Sequence, residues 1–250
     1  MSANLQQEID AFGQTSGKPV FPLDLFPQRV AESIGFHFPK QLPILEIRDG
    51  LDCPLTRNQL LIKRSVDLFL VAIAFGIFIV PMIVIATLIK MGSKGPIFYG
   101  QERVGLGGKT FKMWKFRSMR VGAEEDTGAV WAIRNDPRKT RFGTFLRATS
   151  LDELPQMWNV FKGEMSMIGP RPERPHFVNE FRKKIPGYMD RHRIPVGITG
   201  WAQINGWRGN TSLERRVEYD LSYIKKWSPL LDLKILVLTL FRGFIHPNAY

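Results

Sequence analysis

Cysteine is almost absent from this chain: Cys53 is the only one in 250 residues. That excludes an intramolecular disulfide framework and any zinc site built on a cysteine cluster. Histidine is scarce as well, and the four present (His37, His176, His192, His246) show no metal-ligand spacing among them. The opening stretch, MSANLQQEID, has neither a basic n-region nor an apolar h-region, so no cleavable signal peptide is expected. Acidic residues are in deficit, with 23 Asp and Glu against 35 Lys and Arg, for a net charge of +12. The deficit is uneven. Residues 1–58 carry five Lys/Arg, seven Asp/Glu and six prolines, so the whole basic surplus lies beyond them. They read as a polar, proline-containing arm, extended or loosely ordered, with no chemistry of its own. Internal repeats and low-complexity tracts are missing too.

Charge is missing altogether from Leu68 to Ile89, 22 residues reading LFLVAIAFGIFIVPMIVIATLI. A straight helix of that length reaches about 33 Å, enough to cross the hydrocarbon core of a bilayer. All its faces are equally apolar, which disfavours a buried core helix. Pro81 sits past the middle, where it removes one backbone hydrogen bond and favours a kink. Lys63 and Arg64 precede the run and Lys90 and Lys94 follow it, so charge bias assigns no direction of crossing. A segment that enters, bends at Pro81 and leaves by the same face accommodates both observations; a spanning helix is the other reading.

Beyond it, GPIFYGQERVGLGGKTFKMWKFRSMR reads as a β-hairpin turning at Gly105, Gly107 and Gly108. These glycines do not complete a dinucleotide-binding pattern, because Thr110 stands where the last glycine is needed. Lys109, Lys112, Lys115, Arg117 and Arg120 alternate with Phe111, Trp114 and Phe116. Such a strip can grip nucleic acid through phosphates and stacking, or the phosphates of anionic lipid headgroups. Lys112, Lys115 and Arg117 are the candidates here for substrate phosphate.

The segment SLDELPQMWNVFKGEMSMIGPRPERP, residues 150–175, sets Asp152 and Glu153 side by side. One account makes Asp152 a helix N-cap with Pro155 at the third helical position, where a missing N–H is harmless. Another pairs Ser150 with Glu153 in a capping box, which pushes Pro155 too deep into the helix. A third account is chemical. Arg147 lies upstream, and Arg171 sits in a chain stiffened by Pro170 and Pro172. One carboxylate can then hold a divalent cation while the other attacks phosphorus, with arginines neutralising a diphosphate.

KRSVDLFLVAIAF, FKMWKFRSM, LRATSLDELPQMWNVFKGEMSMIGPRP and GITGWAQINGW together resemble the bacterial sugar transferase family, the monotopic phosphoglycosyl transferases, in consistent order over residues 60–250. The resemblance implies an α+β, membrane-associated protein. It would have a re-entrant helix-break-helix over 59–95, hinged at Pro81, and a small catalytic domain over 96–250 on the cytoplasmic face of the bacterial inner membrane. It implies catalysis by Asp152, which attacks the β-phosphorus of a UDP-sugar, releases UMP and passes the phosphosugar to undecaprenyl phosphate. Glu153 would hold Mg²⁺. Arg147 matches the basic residue ahead of the dyad, Arg171 the proline-flanked arginine near the nucleotide, and Asp220, in VEYDLSYI, an acid near the site. Val80-Pro81 departs from the Ser-Pro that small members often carry. Larger members have four membrane helices where this sequence has the arm. GITGWAQINGWRGNTSLERRVEYDLSYIKKWS and the final NAY are most similar to members that transfer glucose-1-phosphate, with galactose and N-acetylhexosamine as alternatives.

Two features complete the reading. Leu213, Val217, Leu221 and Ile224 form an apolar stripe at helical spacing, expected to be core. Residues 230–244 hold Asp232, Lys234 and Arg242, too much charge to span, and suit an amphipathic helix lying on the membrane surface. Trp201, Trp207 and Trp227 fit either interfacial anchors or core. The bilayer is thus an expected partner and nucleic acid is not, since a nucleic-acid module gains nothing from two acids among its phosphate-binding arginines.

Overall fold

The computed structural model describes residues 53–124, 136–209 and 211–242. The arm up to residue 52 and the final NAY lie outside the described residues.

Helix α1, Arg57–Gly92, begins with a reciprocal cap. The Thr56 hydroxyl accepts from the Gln59 N–H at 3.4 Å, while the Gln59 side-chain carbonyl accepts from the Thr56 N–H at 2.8 Å. Two of the amides that a helix start leaves open are thereby satisfied. The helix is long and apolar enough to cross a membrane, with a mean hydropathy of 3.0 over its most apolar stretch. All 36 residues are helical, Pro81 included. The expected break at Pro81 therefore leaves no interruption in the secondary structure. Proline withholds one hydrogen bond from the Ile77 carbonyl, whereas a true break would orphan several amides and carbonyls in an apolar stretch. One missing bond costs less than a pair of open helix ends.

The helix is tied down at its two ends. Lys63, only 3% exposed, donates to the Ile168 carbonyl at 2.7 Å and to Asp232 at 2.8 Å. Arg64 donates to the carbonyls of Val160 and Phe161, and Asp67 accepts from Ser166 Oγ and the Met167 N–H. Val71 then packs with Met113, Val160 and Met165, while Ile85 and Ile89 pack with Phe116 and Leu146. No residue from 72 to 84 is buried.

Strands β1 (Phe98–Val104) and β2 (Thr110–Phe116) form the expected antiparallel hairpin, Phe98 opposite Phe116 and Val104 opposite Thr110. Gly107 and Gly108 take left-handed φ of 63° and 77° in the turn, a conformation that disfavours residues with a Cβ. There follow α2 (Arg141–Ala148), a 3₁₀ turn (Leu151–Glu153), α3 (Gln156–Lys162), β3 (Ser166–Ile168) and α4 (Pro175–Lys184). A second 3₁₀ turn (Tyr188–His192), β4 (Gly197–Thr199), α5 (Trp201–Ile204), α6 (Leu213–Lys225) and α7 (Pro229–Arg242) complete the mixed helix-and-sheet domain. Strands β3 and β4 are parallel, with Ser166 opposite Gly197. Their backbones touch: a Cβ on Gly169 would stand 2.3 Å from the Pro195 carbonyl oxygen. That close approach fixes the start of the Pro170-Arg171-Pro172 segment.

On α6 the stripe is core as expected, with Val217 and Ile224 buried and Leu213 and Leu221 packed beside them. On α7 the faces separate. Asp232 and Ile235 point inward, whereas Leu230, Leu233, Val237 and Leu240 remain exposed at three- and four-residue spacing, next to Phe241 at 81% exposed. Trp227 is buried and donates its indole N–H to Asp232 at 3.1 Å, which settles it as core.

Candidate active site

Leu151 and Leu154 bracket the two acids, and both pack into the cluster of Ile85, Ile89, Phe116 and Leu146. This anchors the 3₁₀ turn against α1 and leaves Asp152 and Glu153 to line a cavity of about 670 Å³ on the other side. Ser150, which opens the turn, is the one non-glycine among the described residues with positive φ, at 56°. Holding an L-residue left-handed costs on the order of 1–2 kcal/mol. Neither capping account survives. Ser150 makes no side-chain cap bond, Asp152 lies inside the 3₁₀ turn, and Pro155 is itself the residue preceding α3. The proline's fixed φ of −62° links the two helical turns and requires no N–H.

Four cations converge on the acids. Arg171 binds Glu153 through both terminal nitrogens, one at 3.1 Å to Oε2 and the other, shorter, to Oε1. Lys115 donates to Glu153 Oε1 at 2.8 Å, and Arg208 stands 3.7 Å from the same oxygen while reaching Ser150 Oγ at 3.4 Å. Arg147 lines the same cavity and lowers the Asp152 pKa through its charge. Burial alone pushes both carboxyls up. For Glu153 the charges of Arg171, Lys115 and Arg208 outweigh it and hold the carboxyl well below the usual range. For Asp152 burial prevails, reinforced by the charge of Glu153, and its carboxyl is raised despite Lys115. One acid is held firmly ionised and its neighbour is made more basic, the divergence expected where adjacent carboxyls do different work. Four cations against two acids leave an unmatched positive charge suited to a polyanion.

A metal would have few protein ligands. Among the described residues no three acidic, histidine or cysteine side chains cluster. Mg²⁺ commonly takes only one or two carboxylates, with phosphate oxygens and waters filling the rest. Glu153 accepts three hydrogen bonds of the roughly four its carboxylate can take, so one lone pair on Oε2 remains. The residues fit monodentate coordination by Glu153 with Asp152 adjacent.

A sequence model of bacterial sugar transferases matches residues 58–246. The chain belongs to that family. It is 44% identical over 235 residues to the UDP-glucose:undecaprenyl-phosphate glucose-1-phosphate transferase of Escherichia coli (strain K12), covering 92% of this chain and 48% of that protein. A protein of the same name from Caulobacter vibrioides is 37% identical over 254 residues, covering 100% of this chain and 88% of its own. The UDP-N-acetylgalactosamine-undecaprenyl-phosphate N-acetylgalactosaminephosphotransferase of Aeromonas hydrophila is 44% identical over 188 residues, 73% of this chain and 44% of that protein. The chain thus spans about half the length of the Escherichia coli relative and most of the Caulobacter one.

Not every candidate residue picked out in the sequence reaches the cavity. Lys115, Arg147, Asp152, Glu153 and Arg171 do. Lys112 does not: three positions from Lys115 on a strand of period two, it faces the opposite side and lies over the Trp114 ring at 4.8 Å. Arg117 borders the cavity, but its terminal nitrogens donate to the carbonyls of Ser93 and Lys94 and to Ser93 Oγ, tying down the end of α1. Pro170 and Pro172 act through their backbones, their carbonyls accepting from the Gly197 N–H at 2.9 Å and from Arg103 at 3.1 Å. Asp220 lies at the cavity wall with its carboxylate turned to Arg191 at 2.6 Å. Arg208 was missed. It stands in GWRGN, inside a motif that carries the resemblance, but 55 positions separate it from Glu153 and no local pattern links them.

Proposed function

We propose that this chain transfers a hexose-1-phosphate, with glucose-1-phosphate the first choice, from a UDP-sugar to undecaprenyl phosphate, the step that initiates an exopolysaccharide or O-antigen repeat unit. One observation carries the reading: a buried, basic-shifted Asp152 beside an ionised Glu153, in a cavity with four cations around them. Asp152 Oδ attacks the β-phosphorus, the bond from that phosphorus to the bridging oxygen breaks, and UMP leaves with the electron pair. A phosphate oxygen of undecaprenyl phosphate then attacks the same phosphorus and returns the carboxylate. Arg171, Lys115, Arg147 and Arg208 neutralise the diphosphate and the charge that builds on its oxygens. Mg²⁺ bound through Glu153 would add charge neutralisation to theirs. Glucose is favoured by the names of the Escherichia coli and Caulobacter relatives, and the Aeromonas relative makes N-acetylgalactosamine the alternative.

The same reading assigns residues 59–95 to the membrane, entering and leaving by the cytoplasmic face of the inner membrane, with 96–250 as the catalytic domain. Its support is that Val71 and Ile85 pack against side chains only three positions apart on β2, Met113 and Phe116, while the stretch between them is unburied. The exposed apolar stripe of α7 supports contact with the bilayer surface. Purified protein given a panel of UDP-sugars should release UMP fastest from UDP-glucose and should gain the mass of a hexose phosphate before any lipid acceptor is added. UMP release without such an adduct would exclude the covalent route, and no release from any donor would exclude the function.

A further inference from the structure

Two buried arginines, Arg191 behind the cavity and Arg216 in its wall, each hold a backbone carbonyl at or beside an arginine near Glu153. Arg191, wholly buried, donates to Asp220 at 2.6 and 3.0 Å, to Tyr188 Oη at 3.0 Å and to the carbonyl of Arg171 at 2.9 Å. Arg216 donates to Glu173 at 2.8 Å and to the carbonyl of Gly209, the residue after Arg208, at 2.7 Å. Arg216 and Asp220 are four residues apart on α6 and so share one helix face. We infer that this face of α6 is a positioning device: Asp220 through Arg191, and Arg216 directly, set the backbones from which Arg171 and Arg208 reach Glu153 and the substrate diphosphate. The inference rests on the function proposed above and gives Asp220 and Arg191 the part of positioning residues.

The physical argument concerns reach and stiffness. A guanidinium meets a carboxylate side-on only if its own backbone is fixed, since its long side chain is otherwise free to rotate. Pro170 and Pro172 restrain the φ angles on either side of Arg171, and their carbonyls are held by the Gly197 N–H and by Arg103. Between those two points the carbonyl of Arg171 itself is held by Arg191. Arg191 is planar and satisfies three partners at once; a lysine at that position has neither the fork nor the reach. Glu173 adds a cross-link, because it lies two residues beyond Arg171 and pairs with Arg216. Both anchor points therefore lead to one helix, whose buried side carries Val217 and Ile224 together with Arg216 and Asp220.

The test is a double-mutant cycle on UMP release from UDP-glucose, using the full chain in detergent or lipid discs. Arg191→Lys should lower the rate on the order of 100-fold, the usual consequence of misplacing a binding group by about 1 Å. Arg171→Lys should also lower it, and the double variant should be little worse than either single one, because Arg191 acts through Arg171. Because Arg191→Lys can weaken the fold, the paired replacement Arg191→Met with Asp220→Leu removes both buried charges together. It should melt near the wild-type temperature and still show the loss. Its KM for UDP-glucose should rise as that of Arg171→Lys does, because both changes misplace the same diphosphate-binding arginine. Multiplying losses in the cycle, or a folded paired variant with wild-type rate and KM, would overturn the inference alone. A wild-type chain that releases no UMP would overturn the proposed function and this inference with it.

Discussion

Two buried carboxylates in this molecule are each bound by a lysine, and they differ in what surrounds the pair. Asp232 of α7 takes Lys63 at 2.8 Å, the Tyr223 hydroxyl at 2.6 Å and the Trp227 indole N–H at 3.1 Å. One cation meets one anion, and neutral donors take the rest. Glu153 takes Lys115 and Arg171, with Arg208 close by, and its neighbour Asp152 is under Lys115 and Arg147 as well. The first cluster is charge-balanced and joins the start of α1 to α7. The second carries an excess of positive charge and borders a cavity of about 670 Å³. A lysine–carboxylate contact is therefore no marker of function; unmatched charge facing open space is. The comparison orders the effects expected from breaking each cluster.

The largest effect belongs to Asp152→Asn. It keeps the shape of the side chain and removes the attacking charge, so UMP release should fall at least about 10⁴-fold, as for other removed nucleophiles. Stability should hold or rise, because a buried carboxyl raised by desolvation gives up a charge that burial disfavours. A thermal melt beside the turnover assay checks both; retained turnover would remove Asp152 from the mechanism.

Lys63→Met attacks the other cluster. It leaves Asp232 buried without its cation, so the fold should lose about 3–5 kcal/mol, read by denaturant titration, while the rate per folded molecule stays close to wild type. Adding Asp232→Leu should restore part of that stability. A rate that collapses in the still-folded fraction would mean that the two clusters are coupled after all.

Arg171→Lys comes next. It keeps the charge but not the two-pronged contact with Glu153, and kcat/KM should drop about 10- to 100-fold, corresponding to roughly 1.4–2.8 kcal/mol. A loss under twofold would show that charge alone suffices there.

Much of this was readable in the chain itself, for reasons that differ by element. The hairpin was legible because Gly105, Gly107 and Gly108 punctuate two β-rich runs, and turn chemistry is local. The apolar run was legible because its composition is extreme; its continuity through Pro81 was not, since the energy of one missing bond must be weighed against two open helix ends. Lys112 was misplaced although strand periodicity alone separates it from Lys115. The dyad's neighbourhood was legible through family resemblance where its members are close in sequence, as with Arg147 and Arg171. It was illegible where tertiary packing supplies them. Arg191 on the second 3₁₀ turn and Arg208 in the loop between α5 and α6 lie 38 and 55 residues beyond Glu153, and Asp220 on α6 was named by the resemblance but not its turn toward Arg191. The three-residue parallel strands β3 and β4 carry too few residues for any period to show.

The smallest effect changes the position of a curve and leaves its height aside, and it separates the two acids. Asp152 must be ionised to attack, and burial followed by the charge of Glu153 raises its carboxyl above the ordinary aspartate range. Activity should therefore fade, as pH falls, already above the range of an exposed aspartate. Stability responds with opposite signs at the two positions. A raised Asp152 contributes stability that is present below its unfolded value and is lost as pH rises through its folded one. A lowered Glu153 contributes stability present above its unfolded value and lost as pH falls through its depressed folded one. Two substitutions then move the activity limb in opposite directions. Lys115 lowers the Asp152 carboxyl, so Lys115→Gln should shift the limb to higher pH. Glu153 raises it, so Glu153→Gln should shift the limb to lower pH even as the rate itself declines. Single-turnover UMP release across the acidic range measures both. Shifts in one common direction, or a limb that ignores both changes, would mean that the titrating group is not Asp152, on which Lys115 and Glu153 act with opposite signs.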